Sequence, residues 1–457
     1  MTKTDTIAAI STGLMEGGIG IIRISGEDAI SVCDKIYKGK LPLRDVESHR
    51  ICYGHIYDGD EVLDEVMVSV MRSPKTYTTE DVVEINCHGS IYVLKRVLSL
   101  VLKNGARPAE PGAFTKRAFL NGRLDLSQAE SVMDVISSEN ELARKNSLRH
   151  LEGGLKKTVI SLREKLIYEI AYIESALDDP EHISLDGYAD RLRKTVDEVS
   201  SVVGHLIDTA KDGSYFKKGI YTVIIGKPNV GKSSLLNVLA KRDRAIVTDI
   251  PGTTRDTLEE KISFGEFTLN VVDTAGIRDT GDKVEQIGVK KALDSLEEAD
   301  LVFYVVDASL PLEEEDHKIM ERIQSLPVIV LMNKSDLTLC VSEEEIKEKL
   351  PKKKIISVST SKQEGLDELK EEIRSMFFQG DISSNQEIYI TNERHQFALE
   401  SARTSLDRVR ESIDNRMPED FYSIDLMDAY ESLGYIIGES VDEDLVNEIF
   451  AKFCTGK

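Results

Sequence analysis

The sequence contains no tryptophan and lacks the features that mark secreted or membrane-spanning proteins. Its five cysteines (33, 52, 87, 340 and 454) show neither zinc-binding nor disulfide spacing, so a reducing compartment is expected. No apolar run is long enough to cross a bilayer, and the first residues carry no signal-peptide or transit pattern. We therefore expect a cytoplasmic protein without a membrane partner.

Positive charge is also scarce, since 58 basic residues stand against 81 acidic ones and give a formal net charge of −23. This balance argues against a chain whose main task is to bind nucleic acid by neutralising phosphates. The charge is uneven: residues 1–121 carry a net −1, whereas residues 377–457 carry a net −10. This asymmetry suggests that different surfaces of the chain have different roles.

The length of 457 residues favours about three domains, at roughly 150 residues each. The first 121 residues contain short β-rich runs that alternate with apolar-periodic segments and are separated by proline and glycine, which is typical of an α+β or α/β domain. In one run, Val66, Val68 and Val70 alternate and should share one strand face. The β-rich runs lie at 19–24, 66–71 and 82–85.

The segments on either side of residues 219–376 have helical periodicity. Apolar residues recur in steps of three and four from Val159 to Leu177 and again from Leu399 to Ile413. Ser127 and Glu130 fit a capping box that would begin a helix at Ser127. We interpret 122–218 and 377–457 as two parts of one helical domain, interrupted by an inserted domain at 219–376. The alternative is two unrelated helical pieces.

The inserted block begins with a phosphate-binding motif. The β-run 221–225 leads into Gly226–Ser233, which matches G-x-x-x-x-G-K-[ST], and a helical run follows. Backbone N–H groups of such a loop surround phosphate oxygens at a helix N-terminus. Lys232 would neutralise the β and γ phosphates, and Ser233 would hold Mg²⁺. Strand, loop and helix in this order predict a Ras-like P-loop G domain.

Three further motifs indicate that the nucleotide is GTP. Asp273–Gly276 follows a β-run and suits the Mg²⁺ shell and the γ-phosphate. Asn333–Asp336 places a carboxylate that can accept two N–H groups from guanine, which adenine does not present. Ser357–Ser361 fits the last guanine-supporting loop, although Thr360 and Ser361 replace the common Ala and Lys.

Between the first two motifs lies a threonine-rich switch, and after Gly276 stands Ile277, which cannot orient water as the glutamine of many small GTPases does. Glu285 is the nearest carboxylate for that role, or else a solvated charge. The predicted GTP-binding residues are Asn229, Val230, Gly231, Lys232, Ser233, Ser234, Thr248, Asp249, Ile250, Pro251, Gly252, Thr253, Thr254, Asp273, Thr274, Ala275, Gly276, Asn333, Lys334, Asp336, Ser359, Thr360 and Ser361.

The whole chain resembles the MnmE (TrmE) family of tRNA-modification GTPases. The residues that carry this resemblance are the switch Gly252–Asp256, the N-terminal run Gly17–Gly26, the segment Pro111–Arg123 and the tail Phe453–Lys457. The resemblance implies a multidomain α+β and α/β protein: an N-terminal folate-binding and dimerisation domain (1–121), a helical domain, and the G domain inserted into it.

The resemblance further implies GTP hydrolysis that depends on K⁺ and on dimerisation of G domains. Glu285 would orient the attacking water, with Lys232 as the other catalytic residue. The implied metal ligands are Asn229, Thr248, Ile250 and Thr253 for K⁺, and Ser233 and Thr254 for Mg²⁺. The implied contacts of 5-formyltetrahydrofolate, or a related tetrahydrofolate, are Arg23, Glu84, Arg123 and Lys457. From sequence alone, a structural ion pair is the favoured interpretation of Arg23 and Glu84.

The implied function is modification of the wobble uridine at C5 in certain tRNAs, by a carboxymethylaminomethyl or aminomethyl group. The implied assembly is a homodimer that joins a flavin-containing partner, MnmG (GidA), in a heterotetramer and meets tRNA mainly through that complex. Two other functions remain open. One is a regulatory or ribosome-assembly GTPase switch, and the other is a folate-dependent aminomethyl transferase that works without GTP turnover.

Overall fold

A computed structural model describes residues 5–242, 259–273, 296–378, 387–439 and 441–457. The described chain divides into two compact units. The first unit takes residues 1–133, 150–199 and 401–457, and the second takes 134–149 and 200–400. These two units do not correspond to the three predicted domains, since residues 134–149 belong to the second unit although they were predicted to lie in the helical domain. The domain limits therefore stay predictions. Among the described residues, no helix is both long and apolar enough to span a membrane.

The first unit contains a seven-stranded sheet in the order β3-β4-β5-β6-β2-β1-β7, antiparallel except for the parallel pair β1 and β7. Helices α1 and α2 belong to the apolar core on one face. The strands are β1 Ile7–Ile10, β2 Gly17–Ser25, β3 Tyr37–Gly39, β4 Arg50–Asp58, β5 Glu61–Met71, β6 Val82–Gly89 and β7 Arg107–Pro108, and the helices are α1 Ala29–Asp34, α2 Ile91–Lys103 and α3 Ala113–Leu120, with a short 3₁₀ turn at Leu43–Asp45.

The alternation predicted for the second β-rich run is confirmed. Val66, Val68 and Val70 on β5 are buried in the sheet core. On the opposite face, Ile51 and Tyr53 of β4 and Met67 of β5 are exposed, and Tyr53 pairs with Met67 in the strand register. This sheet therefore presents apolar side chains to solvent. The solvent-facing side of an antiparallel sheet normally carries polar residues.

Helices form the rest of the first unit and extend into the second. They are α4 Leu126–Ile136, α5 Glu141–Leu151, α6 Gly154–Asp178, α7 Tyr188–Lys218, α12 Glu393–Asp414, α13 Glu419–Ile437 and α14 Glu443–Ala451. The periodic stripe on α6 is buried from Val159 to Ile173 as predicted. Leu177 was predicted to continue it but is 49% exposed, and Ala176 is buried in its place. The steps from Val159 to Leu177 average 3.6 residues, so Leu177 stays in phase with the stripe, but it lies in the last turn of α6, which ends at Asp178.

The capping prediction at Ser127 is wrong by two residues. Helix α4 begins at Leu126, and the Asp125 carboxylate accepts the Gln128 backbone N–H at 3.0 Å. Ser127 lies inside the helix, where its hydroxyl donates to the same Asp125 oxygen at 2.6 Å. Asp is as good a capping residue as Ser, so the sequence pattern alone did not separate the two.

The second unit contains a six-stranded sheet in the order β13-β12-β11-β8-β10-β9, parallel except at the edge pair β9 and β10. Every residue of β11 is buried, as expected for a central strand covered on both faces. The strands are β8 Ile220–Ile225, β9 Glu259–Ser263, β10 Thr268–Asp273, β11 Leu301–Asp307, β12 Val328–Asn333 and β13 Lys354–Ser357, and the helices are α8 Lys232–Arg242, α9 Glu314–Ile323, α10 Glu343–Lys349 and α11 Leu366–Phe377.

Candidate functional site

The phosphate loop joins the end of β8 to the start of α8. Gly226 has a φ of +147°, and a Cβ there would lie 2.3 Å from the Val305 carbonyl oxygen, so only glycine fits. Gly231 has a φ of +102°, and its Cβ would lie 2.2 Å from the Asn333 amide nitrogen. These two glycines hold the loop close to β11 and to the loop after β12. The predicted order of strand, loop and helix is confirmed.

Lys232 is buried at the first position of α8. Its Nζ donates to the carbonyl oxygens of Gly226 and Lys227, each at 2.7 Å. The ammonium group therefore lies within the loop. It is hydrogen-bonded to the same backbone segment that is predicted to bind the phosphates. Ser233 and Ser234 are exposed at the same helix N-terminus, and Asn229 is exposed with a φ of +64°. The described residues of the first motif thus lie together.

The two guanine motifs also meet. The Asn333 amide nitrogen donates to the Val230 carbonyl at 2.8 Å, and its oxygen accepts the Thr360 N–H at 3.3 Å. Asn333 therefore links the phosphate loop to the loop after β13. Parallel strands deliver both loops to the carboxyl edge of the sheet, where ligands of such folds bind.

Asp336 is held by two hydroxyl groups. Ser359 donates to its Oδ1 at 2.7 Å, and Ser361 donates to its Oδ2 at 3.0 Å. These bonds, with Ser359 contributing more than Ser361, lower the pKa of Asp336. The carboxylate is thus kept ionised, and each oxygen retains acceptor capacity for a further N–H group. Ser361 replaces the common lysine and still contacts the guanine-motif aspartate.

The sequence analysis did not identify Asp307 as part of this site. Asp307 ends the buried strand β11, and its carboxylate accepts from Lys334 Nζ at 2.5 Å. Burial alone would raise the pKa of Asp307, but the bonds from Lys334 and Ser309 lower it. The pair fixes the second residue of the Asn333–Asp336 motif. An acidic residue directly after six apolar strand positions was the signal available in the sequence.

Several predicted residues cannot be placed. Asp273 ends β10 beside Ile224 of β8, but its side chain lies outside the described atoms. The remaining predicted residues of the switch, the second motif and the water-orienting position lie outside the described residues; these are Thr248, Asp249, Ile250, Pro251, Gly252, Thr253, Thr254, Thr274, Ala275, Gly276 and Glu285.

A second cluster lies in the first unit, around Arg23. Strand register places Arg23 of β2 opposite Glu84 of β6, and Arg23 Nε lies 2.8 Å from Glu84 Oε1. Arg23 also donates to the Gly456 carbonyl at 3.3 Å. Burial, followed by the nearby charge of Arg23, lowers the pKa of Lys457. Three of the four predicted folate contacts therefore converge.

The tail is held in place by backbone contacts. Gly456 has a φ of +94°, and a Cβ there would lie 2.4 Å from the Ile10 carbonyl oxygen. The Ser11 hydroxyl donates to the Gly456 carbonyl at 3.1 Å, and the Phe114 N–H donates to the Lys457 carbonyl at 3.0 Å. Glycine is thus required two residues after Cys454, and the tail is part of the first unit.

Arg123, the fourth predicted contact, reaches the cluster through Tyr77. Its guanidinium carbon lies 4.8 Å from the Tyr77 ring centroid, and that of Arg23 lies 5.6 Å from the same ring. Arg123 and Tyr77 also line an open cavity of about 670 Å³. The sequence analysis did not select Tyr77, because a single tyrosine in a loop carries no pattern. A cationic cleft next to an aromatic ring suits an anionic, planar ligand.

Comparison with known proteins gives the same assignment over the full length. Residues 6–123 match the family described as "GTP-binding protein TrmE N-terminus", and residues 126–454 match "MnmE helical domain". The protein named tRNA modification GTPase MnmE from Lachnoclostridium phytofermentans is 56% identical over 458 residues, which cover 100% of both chains.

This chain belongs to the MnmE family. Proteins of the same name from Geobacillus kaustophilus and Clostridioides difficile are 47% and 46% identical, over 100% and 99% of each chain. The family resemblance inferred from the motifs is therefore confirmed, and so is the multidomain α+β and α/β fold class with a P-loop G domain. Within the MnmE fold, the described G-motif residues lie in the second unit and the Arg23 cluster lies in the first.

Proposed function

We propose that this MnmE-family chain hydrolyses GTP and acts in tRNA modification. With a flavin-containing MnmG (GidA) partner, it adds a carboxymethylaminomethyl or aminomethyl group at C5 of the wobble uridine of certain tRNAs, using a folate one-carbon unit. The observation that carries the proposal is the presence in one chain of two sites, the Asn333-linked nucleotide loops and the Arg23–Glu84–Lys457 cluster. A switch protein requires only the first of these sites.

The proposal is tested by nucleoside mass spectrometry of tRNA from cells that lack the gene, with and without the gene restored. We expect loss of the modified wobble uridine and its recovery on complementation. Unchanged wobble uridines would refute the proposal and favour a ribosome-assembly or other regulatory GTPase. Recovery by a variant that has lost GTP turnover would instead favour a folate-dependent transferase with an appended G domain.

The described residues fit the proposed metal ions. Ser233 offers an exposed hydroxyl at the N-terminus of α8, which suits Mg²⁺, and the exposed Asn229 amide in the same loop suits K⁺. Thr254 is the other proposed Mg²⁺ ligand, and Thr248, Ile250 and Thr253 complete the proposed K⁺ set. When bound, such a cation supplies positive charge beside the phosphates. Glu285 is proposed to orient the attacking water.

We expect GTP turnover to be at least tenfold faster in KCl than in NaCl at equal ionic strength, because K⁺ stabilises charge that develops on the phosphates. Asn229→Ala should reduce this ratio, and Ser214→Ala, which removes an exposed hydroxyl on α7, should not. Phosphate release measured at several salt concentrations checks the prediction. Equal rates in the two salts would contradict the proposed K⁺ dependence.

The Arg23 cluster fits a tetrahydrofolate such as 5-formyltetrahydrofolate. Cations from Arg23, Lys457 and Arg123 suit the glutamyl carboxylates, and the Glu84 carboxylate suits the donor edge of a pterin. Tyr77 adds an aromatic face between two guanidinium groups. The folate, when bound, supplies the one-carbon unit, and these residues bind and orient it.

Gly456→Ala is expected to weaken 5-formyltetrahydrofolate binding about tenfold or more, because the added Cβ displaces the tail from Ile10 and moves the Lys457 ammonium. Lys452→Ala, which removes an exposed lysine paired with Glu448 on the preceding helix, is the matched control. Isothermal titration calorimetry of both variants measures the change. Wild-type affinity in Gly456→Ala would place folate outside this cluster.

We also propose a homodimer that joins MnmG in a heterotetramer and meets tRNA mainly through that complex. The exposed apolar face of Ile51, Tyr53 and Met67 supports self-association of the first unit, since such surfaces mark interaction sites. The net charge of −23 supports the view that this chain makes only a minor share of the contacts between the complex and the tRNA phosphates. Tight, salt-sensitive tRNA binding by the isolated chain would contradict this division of roles.

A further inference from the structure

The second residue of the phosphate loop, Lys227, forms a partly enclosed ion pair outside the nucleotide site. Its side chain is 14% exposed, and its Nζ lies 2.6 Å from Asp316 Oδ2 and 3.0 Å from Glu313 Oε2. Burial disfavours the charge of Lys227, but the hydrogen bonds that its ammonium donates to these carboxylates outweigh this effect and raise the pKa of Lys227. The loop is thus tied to the start of α9 by a charged contact.

The partner carboxylate is itself fixed. Asp316 is 1% exposed, its Oδ1 accepts the Tyr304 hydroxyl at 3.1 Å, and its Oδ2 accepts the Glu313 N–H at 2.9 Å. Tyr304 is fully buried on β11, where it pairs with Ile225, the residue directly before the phosphate loop. A buried carboxylate with three donors is held rigidly, because any movement would leave a charge unpaired.

The loop side of this contact bears directly on phosphate binding. The carbonyl oxygens of Gly226 and Lys227 both accept from Lys232 Nζ. The side chain of Lys227 therefore fixes, from outside the loop, the same backbone that positions the phosphate-binding ammonium inside it. The contact joins β11, α9 and the loop into one network of hydrogen bonds.

We propose that Lys227 and Asp316 are positioning residues for the phosphate loop, and that their ion pair sets the affinity for the β-phosphate of guanine nucleotides. The inference rests on the proposed GTP site, and it adds a determinant that lies away from the nucleotide. Removing the pair leaves the guanine contacts of Asn333 and Asp336 intact. The loss should therefore be confined to nucleotides that carry a β-phosphate.

The test compares GDP and GMP affinity in the full-length chain, by competition with a fluorescent GDP analogue. Lys227→Met should weaken GDP binding about tenfold, the size of effect expected from a charge-assisted hydrogen bond, and should leave GMP binding unchanged. Lys318→Met is the matched control, since it removes an exposed lysine paired with Glu314 on α9. It should change neither affinity.

A second variant separates positioning from folding. Asp316→Asn keeps the size of the side chain and removes its charge. Because either substitution breaks the same ion pair, the double variant that also carries Lys227→Met should lose no more GDP affinity than the single variant with the larger loss. Equal losses for GDP and GMP, a GDP loss below twofold, or additive losses would overturn the inference. Failure of the parent chain to bind GDP would instead refute the proposed GTP site.

Discussion

Lys232→Met is expected to lower the rate of GTP hydrolysis by about two to three orders of magnitude and to weaken GTP binding. In the structure, the Lys232 ammonium is buried in the phosphate loop, where it is bonded to the Gly226 and Lys227 carbonyls. A positive charge fixed at this place stabilises the charge that develops on the transferring phosphoryl group. Methionine keeps the apolar length of the side chain and removes the charge, so single-turnover hydrolysis and GTP affinity report its contribution.

Two comparisons make the Lys232 result specific. Lys347→Met, which removes an exposed lysine paired with Glu343 on α10, should behave as the parent chain. Glu285→Ala should also abolish most turnover but keep GTP affinity near normal, because its proposed partner is the attacking water. Hydrolysis by Lys232→Met within tenfold of the parent rate would contradict the role of the lysine. A matching loss of affinity in Glu285→Ala would contradict the role of the glutamate.

Asp336→Asn is expected to weaken GDP binding about a hundredfold and to strengthen binding of the xanthine nucleotide. The Asp336 carboxylate is oriented by Ser359 and Ser361 and kept ionised, so it can accept two N–H groups of guanine. An amide offers one acceptor and one donor, which leaves a guanine N–H without a partner and matches the carbonyl that xanthine carries instead. Affinities for GDP and XDP measured side by side give the change in preference.

The matched control for this prediction is Glu348→Gln, which neutralises an exposed carboxylate of α10 in the same unit. It should leave the preference for GDP over XDP unchanged. If Asp336→Asn retained the preference of the parent chain, guanine would have to be recognised elsewhere. In that case the departures at Thr360 and Ser361 would mark a loop with a different task.

Contiguous motifs made much of the nucleotide site predictable. Gly226–Ser233 required a strand before it and a helix after it, and β8 and α8 take these places. Parallel strands then bring the Asn333 and Ser359 loops to the same sheet edge without further information. The helical stripes were equally readable, since burial along α6 and α12 follows simple periodicity.

Contacts between distant residues were not predictable in the same way. Lys227 meets Asp316, Lys334 meets Asp307, and Tyr77 stands beside Arg123, and each pair depends on how separate elements pack. Lys227 and Lys334 lie within nucleotide motifs, but no motif or periodicity pairs them with Asp316 and Asp307, and a single tyrosine such as Tyr77 carries no pattern. The family resemblance brought Arg23, Glu84 and Lys457 together in advance, whereas composition and spacing favoured an ordinary ion pair for the first two.

The docked tail has a consequence for how the chain is made. Arg23 and the Gly456 carbonyl that it contacts are separated by 433 positions, so a long stretch of chain is translated between the two. The sheet strands leave the ribosome early and can fold while synthesis continues. The Arg23 cluster, however, stays incomplete until residues 453–457 have emerged. A nascent or truncated chain that lacks these residues can thus form the first sheet without completing the Arg23 cluster.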